Sequence, residues 1–262
     1  MKVAVLQMPV LPGAAAKNLA TMYRLTEQAC ASRPDVLLLP ELWRLGFYPQ
    51  PIRDYADPDG TESRRALARL AREHQVNIVG GTVANVIGAQ VFNTCYIFDR
   101  EGQQVTTYHK THLFSLAGED KDFTPGDKLV TFTLDGVKCG VLVCYDIRFP
   151  EAARALALQD ISVLFVPAEW PTRRLIHWQT LLRARAIEHQ IWVVACNACG
   201  TQPDGQPLAG HSTIIDPWGE ILAVADEDEA ILQANLRLIL RTQIRQTLNV
   251  FADRREDVYK TK

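Results

Sequence analysis

The run "VKCGVLVCYDIRFPEAARALALQDISVLFVPAEW" (137–170) decides the fold. Its first ten residues, 137–146, are an apolar segment rich in valine and read as a strand. Residues 150–159 open on Pro150, a residue favoured at the first helical position, and read as a helix. Residues 162–170 return to an apolar, β-branched run and read as a second strand. Strand, helix and strand follow one another with almost no spacer. The cysteine at the end of the first strand is followed at once by Tyr145, Asp146 and Arg148.

The same alternation extends in both directions. Residues 3–7, 36–41, 77–84, 93–99, 105–110, 191–197 and 211–217 read as further strands. Continuous runs such as "VLLL" and "IWVV" suit strands covered on both faces. Residues 18–30 place Leu19, Met22, Leu25 and Ala29 on one helical face, and 62–74 do the same with Ala66, Leu67 and Leu70. Residues 172–189 carry Leu175, Trp178, Leu181, Leu182 and Ile187 as an apolar stripe. "FNTCYIFDREGQQVTTYHK" is two strands joined through "DREGQQ", which predicts a hairpin. Interleaved helices and strands with a hairpin indicate an α/β sandwich, two layers of helix around mixed sheet. No repeat, low-complexity tract or Ser/Gly linker divides the chain, so one domain over 1–262 is expected, with a polar C-terminal arm from about residue 245.

Composition narrows the function classes. Apolar residues make up 47% and charged residues 22%, an ordinary soluble balance. A formal charge of −2 and a pI near 6.3 give no global pull toward nucleic acid or anionic membrane. No apolar run approaches the ~20 residues needed to cross a bilayer. The opening "MKVAVLQMPV" is broken by Gln7 and Pro9 and does not read as a signal peptide. A cytoplasmic protein is expected. Six cysteines do not make a disulfide framework in a chain of this size, and most are expected to be buried thiols.

Three residues end apolar strands. "LLLPELW" delivers Glu41, "YHKTHLF" delivers Lys110 between His109 and His112, and "VLVCYD" delivers Cys144. Each alone reads equally well as a surface or core residue. Ligands of open α/β sheets collect at the carboxyl ends of strands, and the concurrence of three reactive groups at such ends outweighs any one of them. A helix start just after Cys144 and a nearby lysine are expected to lower the thiol pKa. "CNAC" (Cys196, Cys199) has the spacing of a redox or half-zinc motif. With no second CxxC, buried structural cysteines are the favoured reading. His112 reads as site wall or packing. Arg173 and Arg174 read as an exposed helix face or as an anion-binding rim.

Glutamate, lysine and cysteine in this order resemble the nitrilase (carbon–nitrogen hydrolase) superfamily. The intervals of 69 and 34 residues between them are similar to that superfamily's, and the match covers nearly the whole chain. "PAEWPTRRLIHWQTLLRARAIEHQIWVVACNACG" (167–200), "GHSTIIDPWGEILA" (210–223) and "VFADRREDVY" (250–259) are similar to the ω-amidase branch, which acts on 2-oxoglutaramate and related ω-amides. The resemblance implies an αββα sandwich of two mixed sheets between helix layers, and a homodimer packed through helices near 150–159 and 172–189. It implies Cys144 as nucleophile, Glu41 as proton carrier, and Lys110 with the Tyr145 N–H as the donors facing the developing oxyanion. Glu119 matches a second glutamate that orients the lysine and the substrate amide. Arg148, Arg173 and Arg174 are candidates for a substrate carboxylate, the last two favoured, with His112 beside them. The expected partners are a small amide and water, with no metal or organic cofactor. An amidase of deaminated glutathione is the alternative, and a non-catalytic amide-binding member a remote one. Where relatives often carry glycine, this chain has Asp160, which must then take a left-handed turn. Glu256 stands where proline is common.

Overall fold

The computed structural model describes residues 1–46 and 49–259. In chain order the strands and helices begin β1 (Lys2–Gln7), α1 (Ala15–Cys30), β2 (Val36–Leu38), β3 (Asp57–Pro58), α2 (Thr61–His74), β4 (Asn77–Val79) and β5 (Val83–Ile87). They continue with β6 (Gln90–Phe98), β7 (Gln104–His109), α3 (Glu119–Asp122), β8 (Thr131–Leu134), β9 (Val137–Val141), α4 (Pro150–Leu158) and β10 (Val163–Ala168). The last are α5 (Leu175–His189), β11 (Trp192–Asn197), β12 (Thr213–Ile215), β13 (Ile221–Val224), β14 (Ala230–Asn235) and α6 (Ile239–Thr247). Among the described residues two mixed sheets form. One runs β14-β1-β2-β4-β6-β5-β3 with β7 beside β6, and the other runs β13-β12-β11-β10-β9-β8.

Alternate residues of the central strands explain the layering. In β1, Val3 and Val5 face a core shared with Val163 and Phe165 of β10 and Val194 and Cys196 of β11, so the two sheets pack on each other. The intervening Ala4 and Leu6 meet Met22 and Leu25 of α1 and Leu67 and Leu70 of α2. On the second sheet Leu164 and Val166 meet Ala153 and Leu156 of α4 and Trp178 and Leu182 of α5. The order is helix, sheet, sheet, helix. Unbroken apolar runs arise because each strand buries both faces.

Three expected strands stop early, and each stop positions a functional side chain. The run 36–41 leaves its ladder after Leu38, and 137–146 leaves after Val141. The run 77–84 divides at Gly80–Gly81 into β4 and β5. Gly81 has φ +57, and a Cβ there would lie 2.0 Å from the Pro40 carbonyl oxygen, so glycine alone permits this approach next to Glu41. Sequence reading missed β3, α3, β8, β13, β14 and α6. It also placed Ile187 in the buried stripe of α5, whereas Ile187 is half exposed and the buried side chains of that helix are Trp178, Leu182, Arg185, Ala186 and His189. The hairpin forms as read, with β6 antiparallel to β7.

Asp160 takes φ +66, as its place in the turn requires, and its carboxylate receives hydrogen bonds from Arg241 and Arg245 of α6. Beyond α6 the chain runs through turns to residue 259, with Phe251 beneath the guanidinium groups of Arg154 and Arg245. The last three positions of the expected arm, 260–262, lie outside the described residues.

Candidate active site

Glu41 lies three residues past β2, its N–H donating to the Ala168 carbonyl at the end of β10 at 3.4 Å. The first sheet thereby meets the second where the loops converge. The next residue, Leu42, donates its N–H to Thr82 Oγ1 at 2.8 Å. Lys110 follows β7 directly and donates its own N–H to the Asn93 carbonyl of the neighbouring strand. Its side chain is 2% exposed and so needs buried anions. Nζ donates to Glu41 Oε1 at 2.8 Å and to the two oxygens of Glu119 at 2.9 and 2.8 Å. Glu119 opens α3 and is buried, although "GEDKD" has the composition of a solvated acidic loop. Oε2 of Glu119 accepts the Phe114 N–H at 2.7 Å.

Asn93 Nδ2 donates to both carboxylates, at 2.9 Å to Glu41 and 3.0 Å to Glu119. Burial pulls the Lys110 ammonium down, but the charges of Glu119 and Glu41 outweigh it and hold its pKa well above the usual lysine value.

Cys144 sits where β9 has ended, at φ +47, inside a turn of 3₁₀ helix from Cys144 to Arg148. The buried carboxylate of Asp146 fixes that turn. It accepts the Val143 N–H at 2.8 Å, the Tyr108 hydroxyl at 2.7 Å and the His112 N–H at 2.9 Å, tying the cysteine loop to the lysine loop. The expected lowering of the thiol pKa does not occur. Burial of the sulfur first, then the charge and hydrogen bond of Glu41, push it well above the usual value, and Lys110 opposes this without winning. The first regular α-helical turn begins only at Pro150, too late to offer the sulfur its dipole. Cys144 as a residue is nonetheless only partly buried and stays open to the cavity.

That cavity has a volume of about 290 Å³. Glu41, Lys110, Glu119 and Cys144 are at its floor, and Tyr145 also lines it, its ring against Phe114 and Phe149. Arg148, Arg173 and Arg174 line the outer wall. Arg148 lies over Trp170 at 4.7 Å and Arg174 over Phe114 at 4.9 Å. Among the described residues none of the three has a carboxylate within ion-pair distance. Burial, then the neighbouring charges of Arg173 and Arg148, pull Arg174 below its usual pKa. This is the signature of crowded cations.

The structure thus brings Glu41, Lys110, Cys144, Glu119, Tyr145, Arg148, Arg173 and Arg174 to one cavity and leaves His112 out. The His112 ring stacks on Phe149 at 3.8 Å and places Nδ1 2.8 Å from Asp146, so its contacts serve the turn and not a ligand. Cys196 and Cys199 are buried thiols. Burial holds Cys196 well above the usual value and raises Cys199 to about 12, so packing suits them better than redox exchange. Among the described residues no group of three metal-binding side chains assembles.

Sequence reading did not single out Asn93, Asp146 or Glu169. Glu169 carried the clearest signal: "VPAEW" repeats the pattern of "LLLPELW", a glutamate just past an apolar strand and a proline. It lines the cavity, is 4% exposed, and has no hydrogen-bond partner on either carboxyl oxygen among the described residues.

A carbon–nitrogen hydrolase family model matches residues 2–246. The 2-oxoglutaramate amidase of Bacillus subtilis is 46% identical over 225 residues, 86% of each chain. The human omega-amidase NIT2 is 30% identical, with 88% of this chain and 87% of that one covered. The crystal structure of Saccharomyces cerevisiae Nit3, a member of branch 10 of the nitrilase superfamily, superposes with a TM-score of 0.90 at 28% identity, covering 99% of this chain and 97% of that one.

Proposed function

The chain belongs to the carbon–nitrogen hydrolase family and is a hydrolase of amide carbon–nitrogen bonds, and from that premise we propose that it is an ω-amidase using Cys144 as nucleophile. Its substrates on this reading are short ω-amides of oxo or dicarboxylic acids such as 2-oxoglutaramate. One observation carries the proposal: a single small cavity is lined by the partly buried Cys144 beside a buried glutamate–lysine–glutamate cluster, with arginines that lack carboxylate partners among the described residues at its outer wall.

The raised thiol pKa means that the sulfur rests protonated and needs a base at the moment of attack. Glu41, hydrogen-bonded to that thiol, takes the proton as sulfur bonds to the amide carbon. The carbonyl oxygen gains the electron pair and is held by Lys110 Nζ and the Tyr145 N–H. Removing one such donor typically costs about 3 kcal/mol of barrier. The oxyanion then reforms the carbonyl. The carbon–nitrogen bond breaks, and ammonia leaves with the proton carried by Glu41. A thioester remains. Water gives a proton to Glu41 and attacks the thioester carbon, and the acid leaves as the proton returns to sulfur. Glu119 and Asn93 hold Lys110 and Glu41 in register through both halves.

The outer arginines receive the substrate carboxylate, with Arg173 and Arg174 favoured over Arg148, whose guanidinium already meets the His177 ring nitrogen at 3.3 Å as well as the Trp170 ring. A cavity of about 290 Å³ is at the lower end of the ~300–1,000 Å³ usual for ligand sites, which favours a short ω-amide over a deaminated-glutathione-sized one. Leu158 of α4 and Ile176 and Ile187 of α5 are exposed apolar side chains, which supports a homodimer through this helix layer. Unpaired cysteines throughout support a reducing, cytoplasmic setting. No helix among the described residues is long and apolar enough to cross a membrane.

The test is ammonia release from a panel of ω-amides, with mass detection of an acyl adduct. The expected result is fastest turnover of the 2-oxo acid amide and an adduct on Cys144. No adduct on Cys144 during turnover would sink the mechanism, and turnover confined to longer peptide-like amides would sink the substrate class.

A further inference from the structure

We propose that the carboxyl group of Glu169 is a specificity-determining contact, donating a hydrogen bond to an oxygen on the substrate chain beyond the scissile amide. The inference rests on the ω-amide reading above and adds to it the group that recognises the middle of the substrate.

The other two buried carboxylates of the cavity are fully engaged, and the fourth carboxylate of its lining, Asp204, is exposed. Glu41 accepts from Lys110, from Asn93 and, through Oε2, from the peptide N–H of Glu169 at 3.1 Å. Glu119 accepts from Lys110, Asn93 and the Phe114 N–H. Among the described residues Glu169 has neither a cation nor a donor on its side chain, although it is buried to the same depth. A buried polar group without a partner is costly to fold and persists where a ligand completes it.

Position selects the ligand atom. The peptide N–H of Glu169 faces Glu41 and the sulfur of Cys144, while the residues after it, through Trp170 and Pro171, lead to Arg173 and Arg174. Glu169 therefore stands between the reacting floor and the cationic outer wall. A substrate with its amide carbon at Cys144 and its carboxylate at the arginines passes along this side chain. The floor already holds one cation against two carboxylates, so a third negative charge would repel an anionic amide. Burial first, and then the Glu41 charge, hold Glu169 in its neutral form far above the usual carboxylate range. A neutral carboxyl can donate to an oxo or carboxylate oxygen. A plain aliphatic amide offers no such acceptor.

The charged and titratable groups facing Glu169 are Glu41 past β2, Lys110 past β7, Glu119 on α3 and Cys144 past β9, with Tyr145, the arginines and Asp204 in the rest of the cavity lining. As pH rises through the raised pKa, the donor is lost and a repelling charge appears, so KM for the anionic amide climbs.

The experiment compares wild type, Glu169→Leu and Glu169→Gln on 2-oxoglutaramate and on butyramide, with melting curves for all three. Glu169→Leu is expected to lower the ratio of kcat/KM for the two amides about tenfold or more, chiefly through KM, and Glu169→Gln to restore most of it. Glu169→Gln is also expected to lose the rise of KM with pH. A wild type without preference for the oxo acid amide overturns the ω-amidase reading, and this inference with it. A wild-type preference that survives in Glu169→Leu, or an equal loss on both substrates, overturns this inference alone. Should Glu169→Leu fail to fold, Glu169→Gln decides: a wild-type rise of KM with pH that persists in Glu169→Gln overturns the proposal, and its disappearance supports it.

Discussion

At the floor of the cavity Lys110 is enclosed by Glu41 and Glu119, each within 2.9 Å, with Asn93 bridging the carboxylates. At the outer wall Arg148, Arg173 and Arg174 stand over aromatic rings or solvent, and the nearby Asp204 is hydrogen-bonded to Gln206 instead. The floor has its cation and both carboxylates ion-paired before any ligand arrives. The outer wall leaves its charges to be compensated by one. Preorganised charge on the floor acts on the reacting bond, where reorganisation during the reaction would raise the barrier. Uncompensated charge at the wall acts on affinity and approach. Mutations in the two regions should therefore separate kcat from KM.

The largest effect belongs to the floor. Cys144→Ala should reduce turnover by more than about 10⁴-fold on every amide, with an unchanged melting temperature. Glu41→Gln should follow at roughly 10³-fold, with no acyl adduct detectable by mass, since the thiol keeps its proton. Residual adduct formation at the wild-type rate would remove Glu41 from the role of base. Lys110→Met should abolish activity and also lower stability by about 3–5 kcal/mol in urea unfolding, because two buried carboxylates lose their cation. A melting curve like that of wild type would show that the floor is not held by that ion pair.

A tenfold scale is expected at the wall. Arg173→Gln with Arg174→Gln should raise KM for 2-oxoglutaramate by about tenfold while kcat stays within about twofold, and should weaken the dependence of KM on salt. A fall in kcat with constant KM would mean that the arginines belong to the floor's chemistry.

The two regions also differ in how far the sequence disclosed them. Glu41, Lys110 and Cys144 were legible because each ends an apolar run, and Val143, Leu39 and Tyr108 are buried as such runs require. Glu119 was recognisable only by resemblance, since "GEDKD" looks like any acidic loop until Lys110 is folded against it. Asn93 and Asp146 were silent because their partners lie far away in the chain. Asn93 reaches Glu41 across 52 residues and Asp146 reaches Tyr108 across 38. Of the two readings open for His112, site wall or packing, only the fold could choose: the ring packs on Phe149, with its nitrogen 2.8 Å from a carboxylate brought in from another loop. In the fold, the doubly buried strands were plain. β13 was not, because its side chains are largely exposed and its pairing depends on β12. β14 is fixed by antiparallel pairing with β1, more than 220 residues away, a relation no local pattern carries.

Glu169 lies between the two regions, and its expected effect on stability is the smallest and the most specific in sign. Its usual value is 4.5, and burial with the Glu41 charge raises it well above that in the fold. Below the usual value both folded and unfolded chains hold the proton, and the wild type has no penalty. As pH climbs past 4.5 the unfolded chain releases the proton while the folded one keeps it, so stability declines until the folded value is passed. Glutamine has no proton to release. The melting temperature of Glu169→Gln relative to wild type should thus rise between pH 4.5 and pH 7.5, by about 2–4 °C for each kcal/mol of linkage. Scanning calorimetry of both proteins at the two pH values checks it. An offset equal at both would mean that Glu169 is ionised in the folded cavity, and the floor would then carry three carboxylates against one lysine.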